Sequence, residues 1–402
     1  DSIFLLRRWA DGPAEPLLSF QPPASALQWQ ALYDRSPVGR GTGLLGQYFL
    51  DPQGEALGPL PDFARDPARL IPMYRAMYLT RSFDAKAIAL QRTGKLGTFA
   101  SALGQEAIGV GVASAMRPED ALFPSYREHA AQLVRGVRIE ESLRYWGGDE
   151  RGSDFAEARH DFPNCVPIGT QVCHAAGAAY AFRLRGEARA AVCFLGDGGS
   201  SKGDFYEGLN FAAVWKAPLL IVLSNNQWAI SVPRSAQSAT ATLAQKAIAA
   251  GVEGVQADGN DLVAVHHVAR EALAKARAGG GPTLIEAVTY RLGDHTTADD
   301  ASRYRDPAVV QEQWSFEPLT RLRNHLVGLG AWGPDKEEAL ARECTETVNA
   351  AVEAYLNTPP PTTAAMFEHL FATLPAALVA QRDEALRFAP RKAGGQPGGD
   401  HG

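Results

Sequence analysis

Asp197 stands between glycines in "LGDGGSSKG", and the pair Asn225-Asn226 follows with 26 residues between Gly198 and Asn225. A carboxylate, an amide oxygen and nearby backbone carbonyls are hard oxygen donors, the set that suits Mg2+ when the ion also holds phosphate oxygens. Gly198 and Gly199 let backbone come close to such a ligand, and the start of the next helix offers free amide groups to an anion. Two commoner readings fail. Ser201 occupies the third glycine position of the dinucleotide fingerprint, and no Gly-Lys-Ser/Thr follows at the phosphate-loop distance. A second candidate is His295, in the polar stretch "YRLGDHTTADD". Its neutral ring can donate one hydrogen bond, and an ordinary imidazole pKa lies close enough to working pH to stabilise charge or move a proton. His266 and His267 sit inside the helical stretch "DLVAVHHVAREALAKA" without a ligand-spaced companion and read as packing and surface residues.

The elements between these residues explain how they could meet. From residue 66 the chain alternates helical stretches with short, continuously apolar runs: "ALFPS", "AAVCFL", "PLLIVLS", "GVQAD" and "PTLIEAVTY". Such runs predict an α/β fold, a mostly parallel sheet covered by helices on both faces. Ligands in such a sheet bind beyond the carboxyl ends of the strands. Asp197 directly follows "AAVCFL", one helix and one strand bring the chain back to Asn225-Asn226, and His295 lies just past "PTLIEAVTY". The spacing thus predicts one shared edge. A further helix is expected over "TATLAQKAIAAG".

Composition bounds the rest. The chain has 402 residues, 46% hydrophobic and 21% charged, enough for a sizeable core. A net charge of −6 without a basic patch argues against a nucleic-acid partner, and no apolar run is long enough to span a membrane. Cys165, Cys173, Cys193 and Cys344 fit buried thiols in a reducing compartment better than a disulfide framework. The expected location is cytoplasmic, or the mitochondrial matrix if a leader has been removed. Three regions are expected: an extended Pro/Gly-rich arm over 1–65, an α/β domain with a C-terminal helical part over 66–385, and a disordered tail over 386–402.

The series "SYREH", "GDGGSSKGDFYEGLNFAAVWKAP", "NNQWAIS", "DGNDLVAV", "GPTLIEAVTYRLGDHTTADDASRYR" and "MFEHLFATLP" resembles, over about residues 66–385, the alpha subunit of the decarboxylating first component of 2-oxo-acid dehydrogenase complexes. The resemblance implies a thiamine diphosphate-binding fold, specifically its diphosphate-binding half, with thiamine diphosphate and Mg2+ as cofactors. It implies side-chain ligation of Mg2+ by Asp197 and Asn226 and a backbone carbonyl from Trp228. Gly198 and Gly199 would meet the diphosphate through amides, and Tyr126 and Arg127 would hold its oxygens. Ile168 would sit under the bent coenzyme, His295 would be the active-site histidine, and Arg291 would support its loop or the phosphates. Within loop 293–306, Thr296 and Ser302 stand where relatives are phosphorylated. Cys165 and Val166 replace serines of a potassium site found in some relatives, and Ser224 replaces an arginine of branched-chain members.

The implied reaction is decarboxylation of a 2-oxo acid, pyruvate first and branched-chain acids second, with the acyl group passed to the lipoyl domain of an acyltransferase component. The carboxylate that activates the coenzyme's pyrimidine is implied to come from a beta subunit in an α2β2 assembly. The chain alone would then be inactive, with the arm and the small-residue helix "TQVCHAAGAAYAFRLRG" expected at subunit contacts. A non-catalytic scaffold of the same fold is the rival, opposed by the joint presence of Asp197, Asn226, Arg127 and His295. Loop 293–306, poor in apolar residues, is expected to order on coenzyme and partner.

Overall fold

Six parallel strands carry the molecule in the computed structural model, which describes residues 46–389. The strands β1 (Gly46–Gln47), β2 (Ala121–Phe123), β3 (Ala191–Gly196), β4 (Leu219–Asn225), β7 (Glu253–Asp258) and β8 (Thr283–Val288) form one sheet in the order β1-β7-β8-β4-β3-β2. Every pairing in it is parallel. Two short strands, β5 (Trp228–Ala229) and β6 (Val232–Pro233), make a separate antiparallel hairpin just beyond β4.

Around the sheet lie α1 (Pro67–Arg92), α2 (Glu106–Ala113), α3 (His129–Arg135), α4 (Ile139–Trp146), α5 (Thr170–Leu184) and α6 (Gly203–Val214). Further along come α7 (Lys246–Ala249), α8 (Leu262–Arg277), α9 (Pro307–Gln313), α10 (Pro318–Gly328) and α11 (Pro334–Leu356). Among the described residues, 46–355 cluster as one unit and 356–389 as a second. Among the described residues of the second, α12 (Ala365–Glu368) and α13 (Ala376–Arg387) have no buried residue.

Alternation along the strands sorts the core into two layers. Ala191, Cys193 and Leu195 of β3 and Leu219, Ile221 and Leu223 of β4 pack with α5 and α6. Their neighbours Val192, Phe194, Leu220 and Val222 pack on the opposite face with α2 and α8. Each such aliphatic side chain contributes roughly 1.5–3 kcal/mol when fully buried, so these strands are firmly held from both faces. Small residues let α5 and α6 approach closely: a Cβ on Gly208 would lie 2.8 Å from Val172 Cγ1. Ala175, Ala176 and Ala179, expected at a subunit contact, are buried in this chain's own core.

Three other expectations meet the structure differently. The part of the 1–65 region that falls within the described residues contributes to the core: β1 pairs with β7, and Phe63 and Ala64 are buried. Buried Asp261, the N-cap of α8, holds this segment by accepting from Phe49 N at 2.6 Å and Leu50 N at 2.9 Å. Residues 1–45 and 390–402 lie outside the described residues, so most of the expected arm and tail does too. The helix expected over "TATLAQKAIAAG" shrinks to the single turn α7, because Leu243, Ala244 and Ala247 are drawn into the core and Ala244 gives its N–H to a buried side chain. The four cysteines are free thiols, with Cys193 and Cys344 buried and Cys165 and Cys173 half-buried.

Candidate active site

Strand register brings the ligand-like residues together. Gly196, the last residue of β3, is paired with Ser224, and Asn225, the last of β4, with Val288 of β8. Asp197, Asn226 and the chain after β8 therefore leave the sheet at one edge. A cavity of about 490 Å³ opens there, lined by Tyr126, Arg127, Ile168, Asp197, Gly198, Gly199, Asn226, Trp228 and His295 among others. Nine of the ten residues to which the resemblance gives a coenzyme, metal or catalytic role reach it; the tenth, Arg291, lies behind its wall.

Asp197 begins a short 3-10 turn, Asp197–Ser201, and is 3% exposed. Its Oδ2 accepts from Gln237 Nε2 at 3.2 Å, and it forms no ion pair among the described residues. Burial pushes its carboxyl up to about 6, the desolvation outweighing the backbone and Gln237 hydrogen bonds and the more distant Arg291 charge that act against it. Asn226 is buried and oriented from both ends: Nδ2 donates to Gln105 Oε1 at 3.0 Å, and Oδ1 accepts from Trp228 N at 3.2 Å. Gln105 Nε2, by contrast, is a buried donor without a partner on a residue that lines the cavity. Such a group is costly unless something satisfies it.

Backbone geometry at this edge is unusual. Gln227 (φ 72°) and Ile230 (φ 54°) both adopt left-handed conformations that a side chain disfavours, and a strain of order 1–3 kcal/mol each persists only where surroundings enforce it. Here the reversal turns Asn226 inward and carries Trp228 into the β5–β6 hairpin. Gly198 is required by that hairpin, since a Cβ would sit 2.5 Å from Ala229 Cβ. At Gly199 a Cβ would meet Leu195 Cδ1 at 2.9 Å and Ile168 Cγ2 at 3.3 Å, so Ile168 packs directly over the glycine turn.

The opposite wall carries charge. Arg127, 9% exposed, donates to Ser101 O and to His295 O at 2.9 Å, and its guanidinium lies 5.4 Å from the centroid of the Tyr126 ring. Arg291, 1% exposed, donates to Ile230 O at 2.9 Å, Tyr304 Oη at 2.8 Å and Trp228 O at 3.4 Å. It ties the β5–β6 hairpin to the histidine loop. These hydrogen bonds run to the hairpin and to the loop that carries His295.

His295 Nδ1 lies 3.3 Å from Arg127 Nη2 and 3.4 Å from Arg291 Nη1. A guanidinium can only donate, so Nδ1 is the lone-pair nitrogen and Nε2 carries the proton. Burial, then the two arginines, lower the ring's pKa to about 4. This corrects the expectation of a pKa near working pH: the ring is a neutral hydrogen-bond donor rather than a reservoir of charge. Its backbone N–H donates to Asp299 Oδ2 at 2.9 Å, and the same oxygen accepts from Tyr304 Oη. Loop 293–306 is pinned mainly by polar contacts, including Thr297 N to Phe99 O at 2.9 Å and Arg305 Nη2 to Gly293 O at 2.8 Å.

Sequence reasoning missed several lining residues. Gln105 and Gln237 carry no motif signal, and only the fold brings them to Asn226 and Asp197. Glu128 stood in plain view within "SYREH". It is buried, lines the cavity, accepts from Arg127 N at 3.1 Å, and burial raises its pKa to about 7. His266, expected as a packing residue, is buried and hydrogen-bonded through Nδ1 to Gly111 O at 3.0 Å.

Residues 74–364 match the family model described as dehydrogenase E1 component. The chain is 42% identical over 312 residues to a 3-methyl-2-oxobutanoate dehydrogenase subunit alpha of Mycobacterium tuberculosis, covering 78% of this chain and 85% of that one. It is 40% identical over 335 residues to a pyruvate dehydrogenase E1 component subunit alpha of Staphylococcus aureus, covering 83% of this chain and 90% of that one. With most of the chain matched on both counts, the protein belongs to the dehydrogenase E1 component family.

Proposed function

We propose that this chain is the alpha subunit of a thiamine diphosphate-dependent 2-oxo-acid dehydrogenase, acting on pyruvate and handing the acyl group to a lipoyl arm of an acyltransferase component. The observation that carries this reading is the meeting of Asp197, Asn226 and His295 around one cavity at the carboxyl edge of the sheet. The donor set fits a magnesium diphosphate: a buried carboxylate that forms no ion pair among the described residues, an amide oxygen already oriented, and a backbone carbonyl at Trp228. When bound, thiamine diphosphate supplies the electron sink for decarboxylation.

The chain's own residues divide the work. Asp197 Oδ1, Asn226 Oδ1 and Trp228 O would hold Mg2+. Gly198 and Gly199 would present amides to the diphosphate, with Tyr126 and Arg127 on the facing wall. Ile168, half-buried above Gly199, would support the coenzyme's bend. His295 would donate from Nε2 to developing negative charge on the substrate, held in that tautomer by the two arginines at Nδ1. Neutral Nε2–H is the useful form, since a donor that is never charged does not attract competing anions.

The coenzyme-activating carboxylate is assigned to a beta partner, a reading supported by the designation of both relatives as alpha subunits. Carbon dioxide release from a panel of 2-oxo acids, assayed with Mg2+ and thiamine diphosphate in the presence and absence of the co-expressed beta chain, tests both points. Release from pyruvate only in the presence of the beta chain is the expected result. A preference for 3-methyl-2-oxobutanoate is the second reading, favoured by the mycobacterial relative. Full turnover by the chain alone would overturn the half-site assignment.

A further inference from the structure

Two charged side chains lie buried behind the metal edge and take no part in the chemistry above: Glu286 of β8, 1% exposed, and Lys246 of α7, 6% exposed. Both oxygens of Glu286 are engaged. Oε1 accepts from Asn225 Nδ2 at 2.7 Å, while Oε2 accepts from Ala244 N at 2.9 Å and Gln256 Nε2 at 3.1 Å. Asn225, held in this way, uses Oδ1 to accept from Gln227 N at 3.3 Å and Gln227 Nε2 at 3.0 Å. Gln227 is the left-handed residue that reverses the chain between Asn226 and Trp228. Glu286 therefore stands at the root of the turn that presents both of these ligands.

Lys246 does the equivalent for the other turn. Its Nζ donates to Ser200 O at 2.8 Å and Ser200 Oγ at 2.9 Å, and Ser200 Oγ donates to Asp197 O at 2.6 Å. Ala244 and Lys246 are two residues apart, so one short segment grips Glu286 with its backbone and the Asp197 turn with its side chain. The sequence expected a helix here; the departure from helix is what frees Ala244 N for Glu286. Burying an ion costs several kcal/mol that apolar residues of similar size avoid, so two such groups at this place call for a role beyond filling space.

We propose that Glu286 and Lys246 are positioning residues that, through segment Ala244–Lys246, fix the spacing between the Asn226 turn and the Asp197 turn and so set the affinity of the site for its divalent cation. This rests on the assignment of Asp197, Asn226 and Trp228 as the cation's ligands. Outer contacts that orient ligands commonly change metal affinity 10–100-fold when removed.

The test titrates thiamine diphosphate calorimetrically at a series of Mg2+ concentrations, using the full chain co-expressed with its beta partner. Wild type, Glu286→Gln, Lys246→Met and Asp197→Ala are compared, with thermal unfolding of each protein without coenzyme alongside. The expected result is a rise of about 10-fold or more in half-saturating Mg2+ for Glu286→Gln and Lys246→Met. Coenzyme affinity should return to the wild-type value at excess Mg2+ in both, whereas Asp197→Ala should not recover. A role confined to folding would instead lower the unfolding temperature and leave the Mg2+ midpoint in place. Wild-type Mg2+ midpoints in Glu286→Gln and Lys246→Met, with Asp197→Ala defective, overturn the proposal while leaving the ligand assignment intact. Should Lys246→Met fail to fold, the near-isosteric Glu286→Gln decides alone. An Asp197→Ala protein that titrates like wild type removes the ligand assignment and the proposal together.

Discussion

The two walls of the cavity are built by different physics. The metal edge, Asp197 to Trp228, hangs from the central strands β3 and β4, whose register is fixed by core residues on both faces of the sheet. The histidine wall, 291 to 306, follows β8 as a loop held mainly by side-chain hydrogen bonds and by two arginines that aim at one ring nitrogen. The first wall inherits its position from packing that spans the domain. The second depends on a few polar contacts, each of which is worth about 1 kcal/mol net. Under the proposed function, cofactor binding would sit on the firm side and chemistry on the side that can be adjusted.

The contrast is broken most completely at Asp197. Asp197→Ala should abolish Mg2+-dependent coenzyme binding while the unfolding temperature stays close to wild type, because the residue sits at a strand end and holds no part of the core. Calorimetry and thermal unfolding, run together, check this; loss of both would move Asp197 from ligand to structural residue.

His295→Ala addresses the other wall. Removing the one donor it presents should lower kcat about 10²–10³-fold and leave coenzyme affinity within a few-fold, a split that steady-state kinetics and calorimetry read separately. The pH dependence sharpens the point. The ring's folded pKa of about 4 lies below its ordinary value, so its contribution to stability is present above about 6.5 and is lost as pH falls toward 4. Between pH 5 and 8 the folded ring stays neutral, and the kcat/KM profile should carry no limb that disappears in His295→Ala.

The smallest effect is expected from Asp299→Asn. This weakens the hydrogen bonds that Asp299 Oδ2 accepts from His295 N and Tyr304 Oη. A loss of about 1 kcal/mol should raise protease cleavage within 293–306 roughly five-fold and leave cleavage elsewhere unchanged. Equal cleavage in wild type and variant would mean that the loop is held by its other contacts, through Thr297 and Arg305.

Much of this was legible in the chain itself. Apolar runs separated by helical stretches gave the parallel sheet, because strands buried on both faces cannot alternate with polar residues. The interval from Asp197 to Asn226 implied a shared edge because one helix and one strand return the chain to it. Less legible was anything that depends on a neighbour distant in sequence. Nothing near "TATLAQKAIAAG" announced that its backbone would be claimed by Glu286, more than forty positions away. Nothing near His295 announced that Arg127, 168 residues earlier, would help set its tautomer.

The sequence by itself determined the class of donors, their order and the edge they share, since residue type and crossover length are local properties of the chain. Tertiary structure alone decided the tautomer of His295, the orientation of the Asn226 amide, and the hydrogen bonds that Arg291, Glu286 and Lys246 make to distant segments. Those depend on burial and on the direction of hydrogen bonds, and both are set only when segments far apart in the chain are packed against one another.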